Sequence, residues 1–570
     1  MKIERPKRHF LPQNLIIDSW EKLSHFFKDL EERNIDTIDT FEKWMSDISE
    51  VEAVLEEDLA WRYIKMTIDT TSEELSKAYT FFVTEIQPKL APIEDRLNKK
   101  MMASPFVKEL SGDKAYSILF RKIRTALDIY REENVPIQAA LSEESQQYGA
   151  ISAAQNIEHD GKKLTMQQAA LYLKKQDRNL RETVFTKIAN RRREDIEKLD
   201  DLFDSLLKKR HQVAVNAGFP NFRDYKMTAM GRFDYTVDDC KAFHSAVKKS
   251  VVPIVRHMQE ERLRKLGLDK FRPWDLDVDP EGKEALKPFT DGKELITKTV
   301  EMMKTIDPYF ADCLQTMDEM QHLDLESKSG KAPGGYNYPL YEIGVPFIFM
   351  NAVGSQRDLV TMVHEGGHAI HSFLSRDLKL TGFKNLPSEV AELASMSMEL
   401  ITMNKWNYFY SEEDHKRAQK EHLEDIIRIM PWIAQVDEFQ HWLYENYDHT
   451  RTDRKEKWIS LSKEYGTGLT DWSDFEDLLE TSWQRQLHIF EVPFYYIEYG
   501  IAQLGALGVW QNFLNDGNKA VEDYKNALRL AYTRPIPEIY TTANVKFDLG
   551  EERISQLMRF VEEQLALLAD

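Results

Sequence analysis

From about Ile16 to Lys209 apolar residues recur at helical spacing, with glutamates and lysines between them and very little glycine. Ile17 to Leu30, Ser72 to Leu90 and Tyr116 to Glu132 read as long amphipathic helices. The pattern makes the chain mainly α, and most of its charge belongs to the solvated faces of packed helices. One break interrupts it. Asp160-Gly161, between the short flanks Ile157 to His159 and Lys162 to Leu164, is a tight-turn signal. Thr165-Met166-Gln167-Gln168 then reads as a capping box. A small hairpin before a helix is expected, with His159 at the surface. Arg191-Arg192-Arg193 is closed at once by Glu194 and Asp195, so it reads as ordinary helix surface. Asn216 to Phe222 punctuates the helices. The expected division is an N-terminal helical domain over 1–200 and a catalytic domain over 201–570.

Chemistry concentrates in Val363-His364-Glu365-Gly366-Gly367-His368-Ala369-Ile370-His371. Residues four apart share a helix face, one turn on, so His364 and His368 can offer two ring nitrogens to one metal ion. Glu365 is rotated by about 100° from His364 and flanks the ion without binding it. A carboxylate beside a metal-bound water is the arrangement of a zinc peptidase. The flanks Leu359 to Val363 and Ala369-Ile370 are apolar, which implies a buried helix. Buried His and Glu are expensive unless they are paired or coordinate something. Gly366 and Gly367 each cost roughly 1 kcal/mol in a helix interior, which suggests that something approaches the backbone closely.

A third ligand is needed. His371 lies ~10 Å along the axis from His364, too far for one straight helix to wrap three ligands around an ion. Pro387 to Glu399 reads as a second helix after a short polar loop. Its Ala391, Ala394, Ser395 and Ser397 allow close packing on the first. Glu392 is the expected ligand, and Glu399 the carboxylate that orients a ligating His. Glu389 reads as a solvated first-turn residue.

His364-Glu365-Gly366-Gly367-His368-x-x-His371, followed by Glu392-x-x-Ser395-x-x-x-Glu399, resembles the thimet oligopeptidase superfamily, and more closely its bacterial oligoendopeptidase F branch. The likeness runs from roughly Gly218 to the C-terminal region, and more loosely before it. It implies a zinc endopeptidase of short peptides, with one Zn2+ per chain held by His364, His368 and Glu392. It implies a helical, channelled fold: two lobes flanking a deep substrate channel, with a small β-sheet near the zinc site. It also implies a His and Tyr cluster at the catalytic site, which falls on His488, Tyr496 and Tyr499; a small gap in the spacing lets Tyr495 replace Tyr496. A neutral phenol can donate to a developing oxyanion, the role expected of Tyr499.

Before the motif, Lys331 to Tyr338 is a glycine-rich loop without the Gly-Lys-Ser/Thr ending of a phosphate loop. Val345 to Asn351 is short, apolar and strand-like. It reads either as a buried strand or as an edge that takes up the substrate main chain. Its place just before the zinc helix, with the family likeness, favours the edge, with Phe347 and Phe349 against the peptide.

The totals exclude several classes. With 42% hydrophobic and 30% charged residues the chain is globular with a sizeable core. A net charge of −20 makes nucleic acid a poor partner. Cys240 and Cys313 are the only cysteines, so there is no disulfide framework and a reducing, cytoplasmic home is expected. Pro12, Gln13, Asn14 and Asp18 interrupt any signal-peptide core, and no apolar run approaches the ~20 residues that span a bilayer. The expected activity is hydrolysis of internal bonds of short unstructured peptides, with Glu365 as general base and His488 assisting. A zinc carboxypeptidase can share the motif but needs a cation for the substrate's C-terminal carboxylate. A non-catalytic peptide-binding protein predicts lost ligands, yet His364, Glu365, His368 and Glu392 are all present.

Overall fold

The computed structural model describes residues 1–568. They fall into two compact units, each drawn from three stretches of chain. The first comprises Met1–Asp128, Ala285–Lys420 and Ala502–Phe547; the second comprises Ile129–Glu284, Glu421–Ile501 and the described residues from Asp548 on. Position 200/201 lies inside the helix Ile196–Asn216.

The chain is mostly helical, as its periodicity dictates. In the first unit the helix Ile38–Ile68 opens on Thr37, whose side chain accepts from the Thr40 backbone N–H while Thr40 answers it. It buries Phe41, Trp44, Met45, Ile48 and Val51, one face at spacings of three and four. The Trp44 indole donates to the Leu30 carbonyl at 2.8 Å. Expected ends shift by a few residues. The first helix is Glu21–Glu32 and begins after Trp20. Ser72 caps Glu73–Phe81, which continues through a π-turn at Phe82–Ile86 into Gln87–Ala103. The third is Lys114–Ile129.

In the second unit the hairpin is present: β1 (Asn156–His159) pairs antiparallel with β2 (Lys162–Thr165). Asp160 and Gly161 both take positive φ, 49° and 70°, as a tight two-residue turn requires. Thr165 and Gln168 form the capping box. His159, expected at the surface, is buried, its ring 4.9 Å from that of Tyr172.

The first unit holds a three-stranded sheet in the order β3 (Leu323–Glu326), β5 (Phe347–Ala352), β4 (Tyr336–Tyr338). β3 is parallel to β5 and β4 antiparallel to it. The edge-strand reading of Phe347 and Phe349 is therefore corrected. Their strand is central, with both hydrogen-bonding edges taken, and both rings are buried. Phe349 stacks on Tyr336 at 4.8 Å and Phe347 meets Trp61 edge-on at 5.8 Å. A continuous apolar run signals a strand covered on both sides, and here that signal outweighs position. The sheet's edges are β3 and β4.

β5 leads straight into the motif helix. Gly354, at φ +90°, turns the chain where a Cβ would lie 2.8 Å from the Phe289 carbonyl oxygen. Ser355 and Asp358 then form a capping box that starts Gln356–Ser375.

Candidate metal centre

His364, Glu365 and His368 lie on the helix Gln356–Ser375, and Glu392 and Glu399 on Ser388–Met403, which starts at Pro387 as expected. The two helices touch at Gly367. A Cβ there would lie 2.6 Å from the Ala394 carbonyl oxygen and 2.7 Å from Ser395 Cα. At Gly366 it would meet only the Met303 and Leu314 side chains, at 3.3 Å and beyond. Two hydroxyls anchor the second helix: Tyr524 donates to the Ala394 carbonyl at 2.7 Å and Tyr540 to that of Glu389 at 2.9 Å. Glu389 itself, expected in solvent, is buried.

This packing gathers one donor atom each from His364, His368 and Glu392 within 4.8 Å of one another. Glu392 Oε2 is 3.4 Å from His364 Nε2 and 3.8 Å from His368 Nε2. Ligands ~2.0–2.1 Å from a tetrahedral zinc lie ~3.3–3.4 Å apart, so the donor set fits such an ion. Glu399 Oε1 accepts from His364 Nδ1 at 2.6 Å, which turns Nε2 toward Glu392. The Ser395 hydroxyl donates to Glu392 Oε2 at 3.0 Å. His371 is fully buried on the same helix, outside this group.

Without a metal the group holds its charge by ion pairing. Burial alone would lower His364, but Glu392 and Glu399 outweigh it and raise its pKa well above the usual imidazole value. Burial would raise Glu392, but His364 and His368 hold it down at about 2. Burial, with the neighbouring His364, lowers His368 to about 4, leaving it neutral. A divalent cation suits this set, since it replaces the proton that Glu392 and His364 share. Glu365 differs: burial, with Glu392 and Glu399 nearby, pushes its carboxyl up to about 7. Its backbone carbonyl accepts from the side-chain amide of Asn337, on edge strand β4, at 3.3 Å. Read from sequence, Asn337 falls in a glycine-rich loop, whereas Tyr336–Tyr338 forms a strand, so nothing in the sequence points to this contact.

A cavity of about 250 Å³ adjoins the group, with Asn337, Tyr341, His368, His371, Arg376 and Lys384 in its wall. Burial and His368 lower His371 to about 3, so its ring is neutral.

In the second unit His488 sits on the short helix Leu487–Glu491 with three tyrosine rings around it. Tyr496 is nearest at 4.8 Å, with Tyr495 and Tyr499 each at 6.0 Å. Tyr496 precedes the helix Ile497–Asn515, so the turn at Phe494, with φ 68°, groups it with Tyr499. Burial lowers His488 to about 4, and its Nδ1 accepts from the Gln486 amide at 2.6 Å.

A helical fold carrying a His-Glu-x-x-His helix and a carboxylate from a second helix packed on it defines a metallopeptidase. The profile of peptidase family M3 matches residues 171–558, and that of the peptidase M3 N-terminal domain matches 12–130. The chain belongs to peptidase family M3, in its oligoendopeptidase F branch. It is 23% identical to an oligoendopeptidase F homolog of Borreliella burgdorferi strain B31 over 535 residues, 88% of this chain and 86% of the relative. To the oligopeptidase PepF of Bacillus subtilis strain 168 it is 25% identical over 327 residues, 55% of this chain and 46% of the relative. The solved structure of PZ peptidase A with an inhibitor superposes with a TM-score of 0.87 at 28% identity, covering 99% of this chain and 98% of that one. Among the described residues no helix is long and apolar enough to cross a membrane.

Proposed function

We propose that the chain is a cytoplasmic zinc oligoendopeptidase that cuts internal bonds of short unfolded peptides. One ion per chain is held by His364, His368 and Glu392, and Glu399 fixes the His364 ring. The carrying observation is the convergence of those three donors beside a carboxyl raised to about 7. A zinc ion bound there supplies Lewis-acid polarisation of a carbonyl and lowers the pKa of water.

Glu365 accepts the proton of the attacking water and returns it to the leaving amine. A base with pKa near the working pH suits both transfers. The peptide main chain adds to β4, the sheet edge nearest the motif helix in sequence and contact. Main-chain pairing there gives broad sequence tolerance. Tyr499 donates to the oxyanion, and His488 with Tyr496 holds the substrate; these three roles rest on the family likeness. The channel that the likeness implies limits substrates by size.

Glu365→Gln tests the reading, using an internally quenched peptide with an amidated C-terminus. The variant keeps its zinc and loses turnover, since an amide cannot accept the proton. Wild-type turnover in Glu365→Gln refutes the assignment of the base.

A second reading draws on Arg376 and Lys384, which line the cavity beside His368. Two cations there would suit the C-terminal carboxylate of a carboxypeptidase substrate. Failure to cut the amidated peptide, with rapid cutting of its free-acid form, would favour that reading.

A further inference from the structure

The second unit contains another group of metal-ligating side chains, none of them assigned a role above. Cys240 and His244 lie four apart on the helix Val237–Ser250. Asp437 and His441 lie four apart on the helix Glu412–Glu445. Each pair shares one helix face, one turn apart. Facing helices that each contribute such a pair are a common way to build a metal site in a helical core.

The donor atoms of Cys240, Asp437 and His441 lie within 4.8 Å of one another. All three side chains are buried: Cys240 and Asp437 completely, His441 to within 3%. His244, equally buried, places Nε2 2.7 Å from Asp437 Oδ2. This leaves Asp437 Oδ1 with no hydrogen-bond partner. His441 Nε2 is 3.3 Å from Asp437 Oδ2 but poorly aligned, and neither ring nitrogen of His441 has a hydrogen-bond partner. Phe494 meets the His441 ring edge-on at 5.4 Å, an apolar wall that offers no polar partner.

Buried polar atoms are nearly always paired, and unpaired ones cost about 1–3 kcal/mol each, more where charged. Here a carboxylate oxygen and an imidazole Nδ1 lack hydrogen-bond partners in one place, the second imidazole nitrogen has only a loose contact with the carboxylate, and a thiol lies beside them. A buried Asp–His ion pair accounts for His244 and Asp437. It gives no reason for a second imidazole on the same carboxylate, with its Nδ1 and the other carboxylate oxygen both lacking hydrogen-bond partners.

We propose that Cys240, Asp437 and His441 bind a second divalent ion, of the borderline-soft class that zinc represents, as a structural site inside the second unit. Thiolate, carboxylate and imidazole are all ligands that such an ion accepts. One thiolate and one carboxylate neutralise a dication, so no net charge is buried. His244 donates to the ligating carboxylate and orients it, as outer partners do around metal sites. Tetrahedral donors at ~2.0–2.3 Å from zinc stand ~3.3–3.8 Å apart, so donors within 4.8 Å of one another close by at most ~1.5 Å around the ion. Burial on every side means that the ion enters as the unit folds.

Cobalt tests this, because a cobalt–thiolate bond gives a near-ultraviolet charge-transfer band. The group at His364, His368 and Glu392 contains no sulfur and cannot give one. The full chain is produced in zinc-depleted medium supplemented with Co2+, and both metal content and spectrum are measured. The wild type is expected to hold two ions per chain and show the band. The double variant His364→Ala/His368→Ala should hold one ion and keep the band, as should Cys313→Ser keep it. Cys240→Ser should lose the band and one ion. A wild type without the band overturns the proposal, as does a band that survives Cys240→Ser. If Cys240→Ser fails to fold, the wild-type and Cys313→Ser spectra still decide.

Discussion

Gly367→Ala should damage the metal centre without touching a ligand. The added Cβ would lie 2.6 Å from the Ala394 carbonyl oxygen, 2.7 Å from Ser395 Cα and 3.0 Å from the Ala394 carbonyl carbon. All three are backbone atoms of one helix turn and cannot rotate away. Non-bonded heavy atoms sit at ~3.5–4.0 Å, so the two helices must part by about 1 Å. Glu392 lies two residues before Ala394, on the turn that moves. Metal sites tolerate ligand displacements of about 0.2 Å, so Glu392 leaves coordination range of the two histidines. Zinc affinity should fall at least about tenfold, or ~1.4 kcal/mol. Overpacking costs ~1–3 kcal/mol and Ala recovers roughly 1 kcal/mol of helix propensity, for a net loss of ~0–2 kcal/mol in the metal-free protein. Gly366→Ala is the control. Its Cβ would meet the Met303 methyl at 3.3 Å and Leu314 at 3.9 Å, flexible groups that can yield. It should keep its zinc and stay within about 1 kcal/mol of wild type. Zinc titration and denaturant unfolding of the two variants supply the comparison. Full zinc affinity in Gly367→Ala, or equal losses in both, would refute the argument from helix contact.

His368 and Glu365 offer two further tests of the metal centre, and the family likeness offers a third. His368→Ala should lose most of its zinc and His371→Ala should keep it, read by metal analysis; retention in the first would remove His368 from the ligand set. In metal-free protein the folded Glu365 pKa of about 7 exceeds its unfolded value of 4.5. Its contribution is therefore fully present below pH 4.5 and lost as pH rises through 7. Glu365→Gln should gain on wild type by up to ~3 kcal/mol between pH 5 and pH 8 in urea unfolding, and a gap independent of pH would count against a buried, raised carboxyl. Tyr499→Phe should lower kcat more than it raises KM, and a peptide ladder should show cutting of unstructured peptides of roughly 5–20 residues, while a stable folded protein survives. Efficient cutting of the folded protein would defeat size selection but leave the metal chemistry standing.

The clustering of His364, His368 and Glu392 was legible because its signals are local. Spacing four on a helix places His364 with His368, and glycine in a helix interior announces close approach, which holds for Gly367 against the Ala394 backbone. Small residues at Ala391, Ala394 and Ser395 foretold the helix that carries Glu392. What failed depends on partners distant in sequence. Nothing in Phe347 to Phe349 says that β3 and β4 take both its edges, or in Glu389 that it is buried under Tyr540. The interleaved units escaped for the same reason, since each joins segments hundreds of residues apart. Cys240 with His244 and Asp437 with His441 are helix-spaced pairs, but almost two hundred residues separate them and neither alone stands out from ordinary core residues.

If the substrate edge is β4 rather than β5, as proposed, what sets the register of cleavage changes. On the proposed reading a peptide on β4 would pair with the main chain of Tyr336 to Tyr338, so its position would be fixed along that strand whatever its side chains. β4 is tied to the catalytic helix twice. Its register with β5, Asn337 opposite Ile348, fixes it to the strand that runs through Gly354 and the Ser355 cap into that helix. The Asn337 side chain also donates to the Glu365 carbonyl at 3.3 Å. Strand, cap and amide thus hold Glu365 at a constant offset from the docked backbone. Selectivity among peptides would then come from what fits beside the strand, while the bond presented to Glu365 would be set by main-chain geometry.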